Sequence, residues 1–215
     1  MIKYETLPSR EAWLEKRKGS IGGSEAACIV GMNPYMNNVE LWEYKTGRKQ
    51  PEDISDKPYV KYGTEAEQYL RALFALDYPG LTVCYEPDNY WTNTDFPFGH
   101  ASLDGWLIDQ NGRRGILEIK TANIGQGTLA KWKDQVPPNY YVQTLHYLLI
   151  TGFDFVVLKA QLKSDYGNAV RLDTRHYRIE RDEVEEDIEM LMMEEKKFWE
   201  YVKTDTRPAL ILPEI

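Results

Sequence analysis

A chain of 215 residues with 42% hydrophobic and 13% aromatic content can bury a sizeable core, which excludes a disordered or low-complexity protein. Its formal net charge of −8 argues against nonspecific nucleic-acid binding through bulk charge, although local basic clusters stand at Arg10, Lys16, Arg17 and Lys18, at Lys45, Arg48 and Lys49, and at Lys131 and Lys133. The two cysteines, Cys28 and Cys84, have no metal-ligand spacing, and no secretory or transmembrane-length apolar run is seen, so the expectation is a soluble, cytoplasmic protein.

Residues 1–8 read as a short lead-in. Ser9 is an N-cap candidate, and helix formers follow it to Arg17. Gly19, Gly22 and Gly23 then allow a tight loop, with Ser24 expected to cap a helix running to about Val30. A glycine-rich loop opening a helix is either a plain capped start or a set of free N–H groups for an anion. Arg17 and Ser24 favour the second, because a guanidinium and a hydroxyl can share one phosphate. Met32–Tyr35 is a turn, Val39–Thr46 a helix stopped by Gly47, and residues 48–58 a surface loop containing Pro51 and Pro58. Val60 to Ala75 is a helix, since Tyr62, Ala66, Tyr69, Leu70, Leu73 and Phe74 recur near helical spacing. Glu67 lies beside its apolar face, four residues before Arg71. It is either half of an ion pair along the helix or a carboxylate aimed at a metal site.

Leu81–Tyr85 and Tyr90–Asn93 are short strands around a turn at Pro87 and Asp88. Phe98, Gly99 and His100 lead into the next segment; His100 is either close to a site built there or structural, and the structural reading is preferred because a lone histidine is more often structural. Ser102–Trp106 and Gly115–Lys120 flank a polar turn with Asp109, Asn111, Gly112, Arg113 and Arg114, which predicts a β-hairpin. Alternation places Glu118 and Lys120 on one face and Leu117 and Ile119 on the other. A register pairing Asp104 near Glu118 would bring two carboxylates and an ammonium together. Such a group is either a solvated sheet face or a place to hold Mg²⁺ beside a lysine and cleave a phosphodiester, the ion relieving the repulsion.

After an interruption at Ile124-Gly125-Gln126-Gly127, Leu129–Trp132 is a short helix. Pro137 and Pro138 introduce a helix from Tyr140 to Ile150, closed by Gly152, with Gln143 and Tyr147 on one face. Phe153–Leu162 and Arg171–Ile179 are strands joined across residues 164–168. Residues 181–203 form a long helix with Val184, Ile188, Leu191, Met192, Phe198, Trp199 and Val202 on its apolar stripe. The tail 208–213 is extended, and its apolar residues Ala209–Leu212 are expected to dock on the body or on a neighbouring subunit. No linker or repeat splits the chain. One domain over 1–215 is expected, with its core at about 9–165 and a C-terminal strand, helix and tail at 166–215.

Five patterns occur in order over roughly residues 9 to 165: Trp13…Arg17-x-Gly19…Ser24-Glu25, Gly63-x-x-x-Glu67, Ser102-x-Asp104-Gly105, Glu118-Ile119-Lys120 and Gln143-x-x-x-Tyr147. Together they resemble the phage-type exonucleases related to lambda exonuclease and the YqaJ viral recombinases, a branch of the restriction-endonuclease-like PD-(D/E)xK nucleases. One departure is Leu103, which stands where the family's proline would precede the aspartate. The resemblance implies an α/β fold, with a restriction-endonuclease-like core in which helices flank a central mixed β-sheet, followed by a long C-terminal helix. It implies that Asp104, Glu118 and the carbonyl of Ile119 coordinate Mg²⁺ or Mn²⁺, that Glu67 serves the metal directly or through water, and that Lys120 orients or activates the attacking water. Arg17, Ser24, Ser102 and Gln143 match positions that hold the 5′-terminal phosphate or neighbouring DNA, and Tyr147 matches one that supports Gln143.

The implied activity is metal-dependent exonucleolytic hydrolysis from the 5′-phosphorylated end of linear double-stranded DNA, one strand at a time, in phage-type recombination. The implied partners are DNA ends and a single-strand annealing protein, and the implied assembly is a ring-shaped homotrimer. Two rival readings are a RecB-like or endonucleolytic nuclease of the same fold, and a DNA-end-binding module without turnover. Cutting of closed circular DNA separates the first, and dependence of turnover on Lys120 and Asp104 separates the second.

Overall fold

The computed structural model describes residues 1–125 and 129–212. In chain order these residues form β1 (Ile2–Thr6), α1 (Arg10–Lys18), β2 (Ile21–Gly22), α2 (Gly23–Ile29), α3 (Asn38–Lys45), α4 (Pro58–Asp77), β3 (Thr82–Cys84), β4 (Asn89–Asn93), β5 (Phe96–Ala101), β6 (Gly105–Ile108), β7 (Arg114–Asn123), α5 (Pro138–Thr151), β8 (Phe155–Asp165), β9 (Val170–Glu180) and α6 (Glu185–Lys203). Local chemistry sets many of the ends. Ser9 accepts the Ala12 N–H to open α1, and the Asn37 side chain accepts the Val39 and Glu40 N–H groups to open α3. Proline starts α4 and α5, and Gly152, at φ +63°, closes α5.

Two mixed sheets result. The larger has the order β3-β6-β7-β8-β9, antiparallel except for β7 and β8. A parallel pair needs a crossover, and α5 lies within the one that joins β7 to β8. Helix α4 covers one face of this sheet, where Leu70 and Phe74 pack with Leu107, Leu117, Ile119, Phe155 and Val157. Helix α5 covers the other, with Leu145, Leu148 and Ile150 in one core with Ile116 and Val156. The same core takes in Trp91, Phe96 and Ala101 from the smaller sheet, ordered β1-β4-β5-β2. Leu117 and Ile119 thus face α4, as their alternation with Glu118 and Lys120 predicts. The hairpin pairs Gly105 with Leu117, which sets the next positions out, Asp104 and Glu118, side by side.

The structure departs from the sequence expectations at several points. Residues 1–8 are no mere lead-in, because β1 pairs antiparallel with β4 and Tyr4 packs on Trp91 at 4.6 Å between ring centroids. Every residue of β1 is exposed, so it has no apolar alternation to read. Gly22, not Ser24, caps α2, and Glu25 reaches back to accept the Gly22 N–H at 2.9 Å. The strands either side of Pro87 and Asp88 join different sheets. Residues 181–183 form a 3₁₀ turn ahead of α6. The buried stripe of α6 is Ile188, Leu191, Glu195 and Phe198, whereas Met192 is exposed.

The tail docks on the body. The Asn38 amide donates to the Ala209 carbonyl at 2.8 Å and accepts the Ile211 N–H at 2.9 Å. Gln126 and Gly127 of the predicted interruption and Pro213 of the tail lie outside the described residues. Among the described residues, no helix is long and apolar enough to cross a membrane.

Candidate active site

A cavity of about 240 Å³ opens where α1, the start of α2, α4, the β6–β7 hairpin and α5 converge. Its lining includes Arg17, Ser24, Glu67, Ser102, Asp104, Gln143 and Tyr147, residues drawn from all five sequence patterns except Glu118-Ile119-Lys120. That last group lies one bond behind the lining. Gln143 Nε2 donates to Glu118 Oε1 at 2.9 Å, and the Ile119 N–H donates to Asp104 Oδ2 at 2.8 Å.

Glu118 is 1% exposed, so it is far from the solvated sheet face that its spacing also allowed. Lys120 Nζ stands 2.5 Å from its Oε1. Its other oxygen, Oε2, is buried and has no hydrogen-bond partner among the described residues. Unpaired buried carboxylate oxygens are costly and uncommon. Burial pushes the Glu118 carboxyl up, and Lys120 pulls against it without prevailing. Burial also pushes the Asp104 carboxyl well above its usual range, helped by the charges of Glu118 and Glu67, with Lys120 and the Ile119 N–H opposing. For Lys120 burial acts to lower the pKa, but Glu118 and Asp104 outweigh it and hold the side chain as an ammonium.

Glu67 forms the ion pair along its helix, its Oε1 pairing with Arg71 at 2.8 Å, and also faces the cavity. Arg71 also donates to the Asp104 carbonyl and stacks 3.4 Å from the Tyr85 ring centroid. Among the described residues, no group of three or more His, Cys, Asp or Glu side chains is gathered for a metal ion.

At the other end of the cavity, Arg10 and Arg17 both stack on Trp13, at 3.9 and 4.5 Å from the ring centroid. The Arg17 guanidinium and the Ser24 hydroxyl have no hydrogen bond or ion pair within the described residues. Ser102 is committed inside the protein, accepting from Trp13 Nε1 at 2.8 Å and donating to the Asn89 carbonyl at 2.7 Å. Gln143 is tied to Tyr147 OH at 2.8 Å, and the Tyr147 ring lies hard against Gly23.

Three further residues shape the site. Arg10 precedes Trp13 by three on α1, a spacing that places both on one helix face, and this signal was available in the sequence. Asn89 clamps Leu103 from both sides, donating to its carbonyl at 2.9 Å and accepting its N–H at 2.8 Å. A proline at 103 has no N–H to give, so the departure at Leu103 supplies a bond that fixes the strand end carrying Asp104. His100 is buried against Tyr90 and edges the cavity, the less favoured of the two sequence readings open for it.

Residues 12–154, well over half of the chain, match the model of the YqaJ-like viral recombinase domain. The chain is 31% identical over 195 residues to the uncharacterized protein YqaJ of Bacillus subtilis, covering 89% of this chain and 56% of that protein. It therefore spans about half the length of the curated relative it matches. Among solved structures, the alkaline exonuclease LHK-Exo of Laribacter hongkongensis superposes with a TM-score of 0.65 and 22% identity, over 91% of this chain and 94% of that one. A second structure of LHK-Exo, in complex with dAMP, gives 0.66 at the same identity and coverage. A phage-related exonuclease from Haemophilus somnus gives 0.54 at 14% identity, over 86% and 96%. At these identities the structural likeness establishes a shared fold.

Proposed function

Because the chain belongs to the YqaJ-like viral recombinase domain family, we propose that it is a metal-dependent nuclease that hydrolyses linear double-stranded DNA from its 5′-phosphorylated ends. The observation that carries this reading is the buried Glu118 Oε2, left without a partner beside Asp104 and an ammonium. Two carboxylates that burial pushes toward protonation, with Glu67 adding to both and Glu118 adding to Asp104, fit a divalent cation. Asp104, Glu118 and the Ile119 carbonyl would hold Mg²⁺ or Mn²⁺, with water completing the shell and Glu67 reaching it through water. When bound, the ion supplies Lewis-acid stabilisation of the charge that develops on the scissile phosphate.

The chain's own residues supply the rest. Lys120, held as an ammonium by Glu118, donates toward the attacking water and orients it. Gln143 fixes the Glu118 carboxylate, and Tyr147 fixes Gln143. Arg17 and Ser24 have free polar groups in the cavity and take the terminal phosphate, which sets the 5′-to-3′ direction. Ser102 acts indirectly, by anchoring Trp13 beneath the two arginines. The likeness to LHK-Exo supports this reading, since dAMP, its ligand in one structure, is the class of product that such cleavage releases. A single-strand annealing protein as working partner and a ring-shaped trimer as assembly complete the proposal.

The test uses a linear duplex carrying 5′-phosphate or 5′-hydroxyl ends and a covalently closed circle, each with Mg²⁺ or EDTA. Linear DNA should be degraded only with Mg²⁺, the phosphorylated end should be preferred, and the circle should survive. Arg17→Ala should weaken the preference about tenfold or more, the worth of one hydrogen bond to a charged group. Cutting of the circle would favour the endonucleolytic rival, and turnover in EDTA would remove the metal.

A further inference from the structure

The smaller sheet places a buried imidazole at the edge of the same cavity. His100, on β5, is 2% exposed, and its ring stacks on Tyr90 at 4.8 Å with 7° between planes. Its Nδ1 is 2.8 Å from Ser20 Oγ, which is in turn 2.9 Å from Tyr90 OH. The opposite ring edge abuts Gly22, where a Cβ would stand 2.9 Å from Cε1 and 3.0 Å from Nε2. Among the described residues the hydrogen bonding of the His100 side chain runs only through Nδ1, and Nε2 is not among the fully enclosed unpaired atoms, so it keeps contact with the cavity that the side chain lines beside Arg17 and Ser24.

We propose that His100 Nε2–H is a further donor to the anion that Arg17 and Ser24 take, making His100 a specificity residue for the terminal phosphate. This rests on the reading of the cavity as an end-phosphate site. Phosphate oxygens only accept, so an anion selects the tautomer with its proton on Nε2. Nδ1 then accepts from Ser20, and Ser20 is free to accept from Tyr90, so all the hydrogens run in one direction toward the cavity. The surroundings favour the same outcome. Burial keeps the imidazole neutral, and the nearby cations His146, Arg17 and Lys45 act in the same sense. A neutral donor among cations is a place for an anion rather than for a metal ion.

The experiment compares kcat/KM on hairpin duplexes with a 5′-phosphate and with a 5′-hydroxyl. His100→Phe keeps the ring and removes the donor, and should lower the phosphate preference about tenfold, chiefly through KM. His100→Gln can set an amide N–H near the position of Nε2 and should regain much of the preference. Preference unchanged in His100→Phe would overturn the role of His100 alone. A wild-type protein without any preference would overturn the end-phosphate reading as well, and that result appears before any substitution is made. A second measurement needs no variant. In full-length protein labelled with ¹⁵N-histidine, in EDTA, the His100 Nε2 resonance should move with the phosphorylated hairpin and stay with the hydroxyl one. Equal responses to the two hairpins would overturn the proposal.

Discussion

Glu118 concentrates the chemistry of the site in one carboxylate. One oxygen takes both Lys120 and Gln143, while the other is buried with nothing to accept. A ligand that binds the folded chain alone stabilises it by mass action, about 2.7 kcal/mol at a hundred times its dissociation constant. For a chain of this size that is a rise in melting temperature of roughly 5–10 °C. Mg²⁺ should therefore raise the thermal midpoint of the wild type, and Asp104→Asn should abolish the rise. Lys120→Ala should slow hydrolysis by about 10²–10³-fold, the usual worth of a preorganised hydrogen-bond donor at the reacting centre, as read by single-turnover kinetics. The Glu118-x-Lys120 spacing and the placement of Asp104 opposite were legible, because strand alternation and hairpin register are local properties. Which oxygen of Glu118 is satisfied was not, since it depends on Gln143, 25 positions away.

Helix α5 is the element on which the site turns. It carries Gln143 and Tyr147 toward the cavity and His146 toward α6. The Tyr147 ring meets Gly23 so closely that a Cβ there would lie 2.4 Å from Cε1. Gly23→Ala should therefore displace Tyr147 and Gln143, destabilising the fold by about 1–3 kcal/mol and lowering activity, as read by denaturant unfolding and turnover. His146 donates to the His100 carbonyl at 2.9 Å and meets Glu195 at 2.8 Å, both side chains being fully buried. Burial acts to lower the His146 pKa, but Glu195 and the His100 carbonyl outweigh it and raise it above the ordinary 6.5. A raised histidine stabilises the fold fully below its unfolded value, and the contribution is lost as pH rises through the folded one. Stability measured by denaturant unfolding should thus fall above about pH 6.5 in the wild type. Glu195→Gln should remove that dependence and cost about 3–5 kcal/mol below it, the usual cost of breaking a buried pair. The stripe of α6 was legible at Ile188, Leu191 and Phe198. Glu195 was not, because periodicity assigns a carboxylate to solvent unless its partner is known, and His146 is 49 positions away.

Across the whole molecule, a net charge of −8 is compatible with the proposed DNA substrate if the cations that meet the phosphates are those gathered in one cavity. Arg10 and Arg17, both stacked on Trp13, are the arginines lining it. Binding of a duplex end should then show a shallow salt dependence, a log–log slope of about −2 for two neutralised phosphates. The order of elements was legible almost throughout, but the division into two sheets was not. Residues 81–93 read as two strands around one turn, and nothing local says that β3 joins β6 while β4 joins β1 and β5. That division nevertheless builds the cavity, because it sets His100 and Ser102 from one side against Asp104 from the other. The claim on which all of this depends is that the unpaired oxygen of Glu118 is a metal ligand. Anomalous diffraction from a crystal soaked in Mn²⁺ tests it most directly. The account predicts one strong peak between Asp104 and Glu118 within about 2.0–2.3 Å of Oε2, and a Mn²⁺ ion bound elsewhere with that oxygen still unpaired would contradict it.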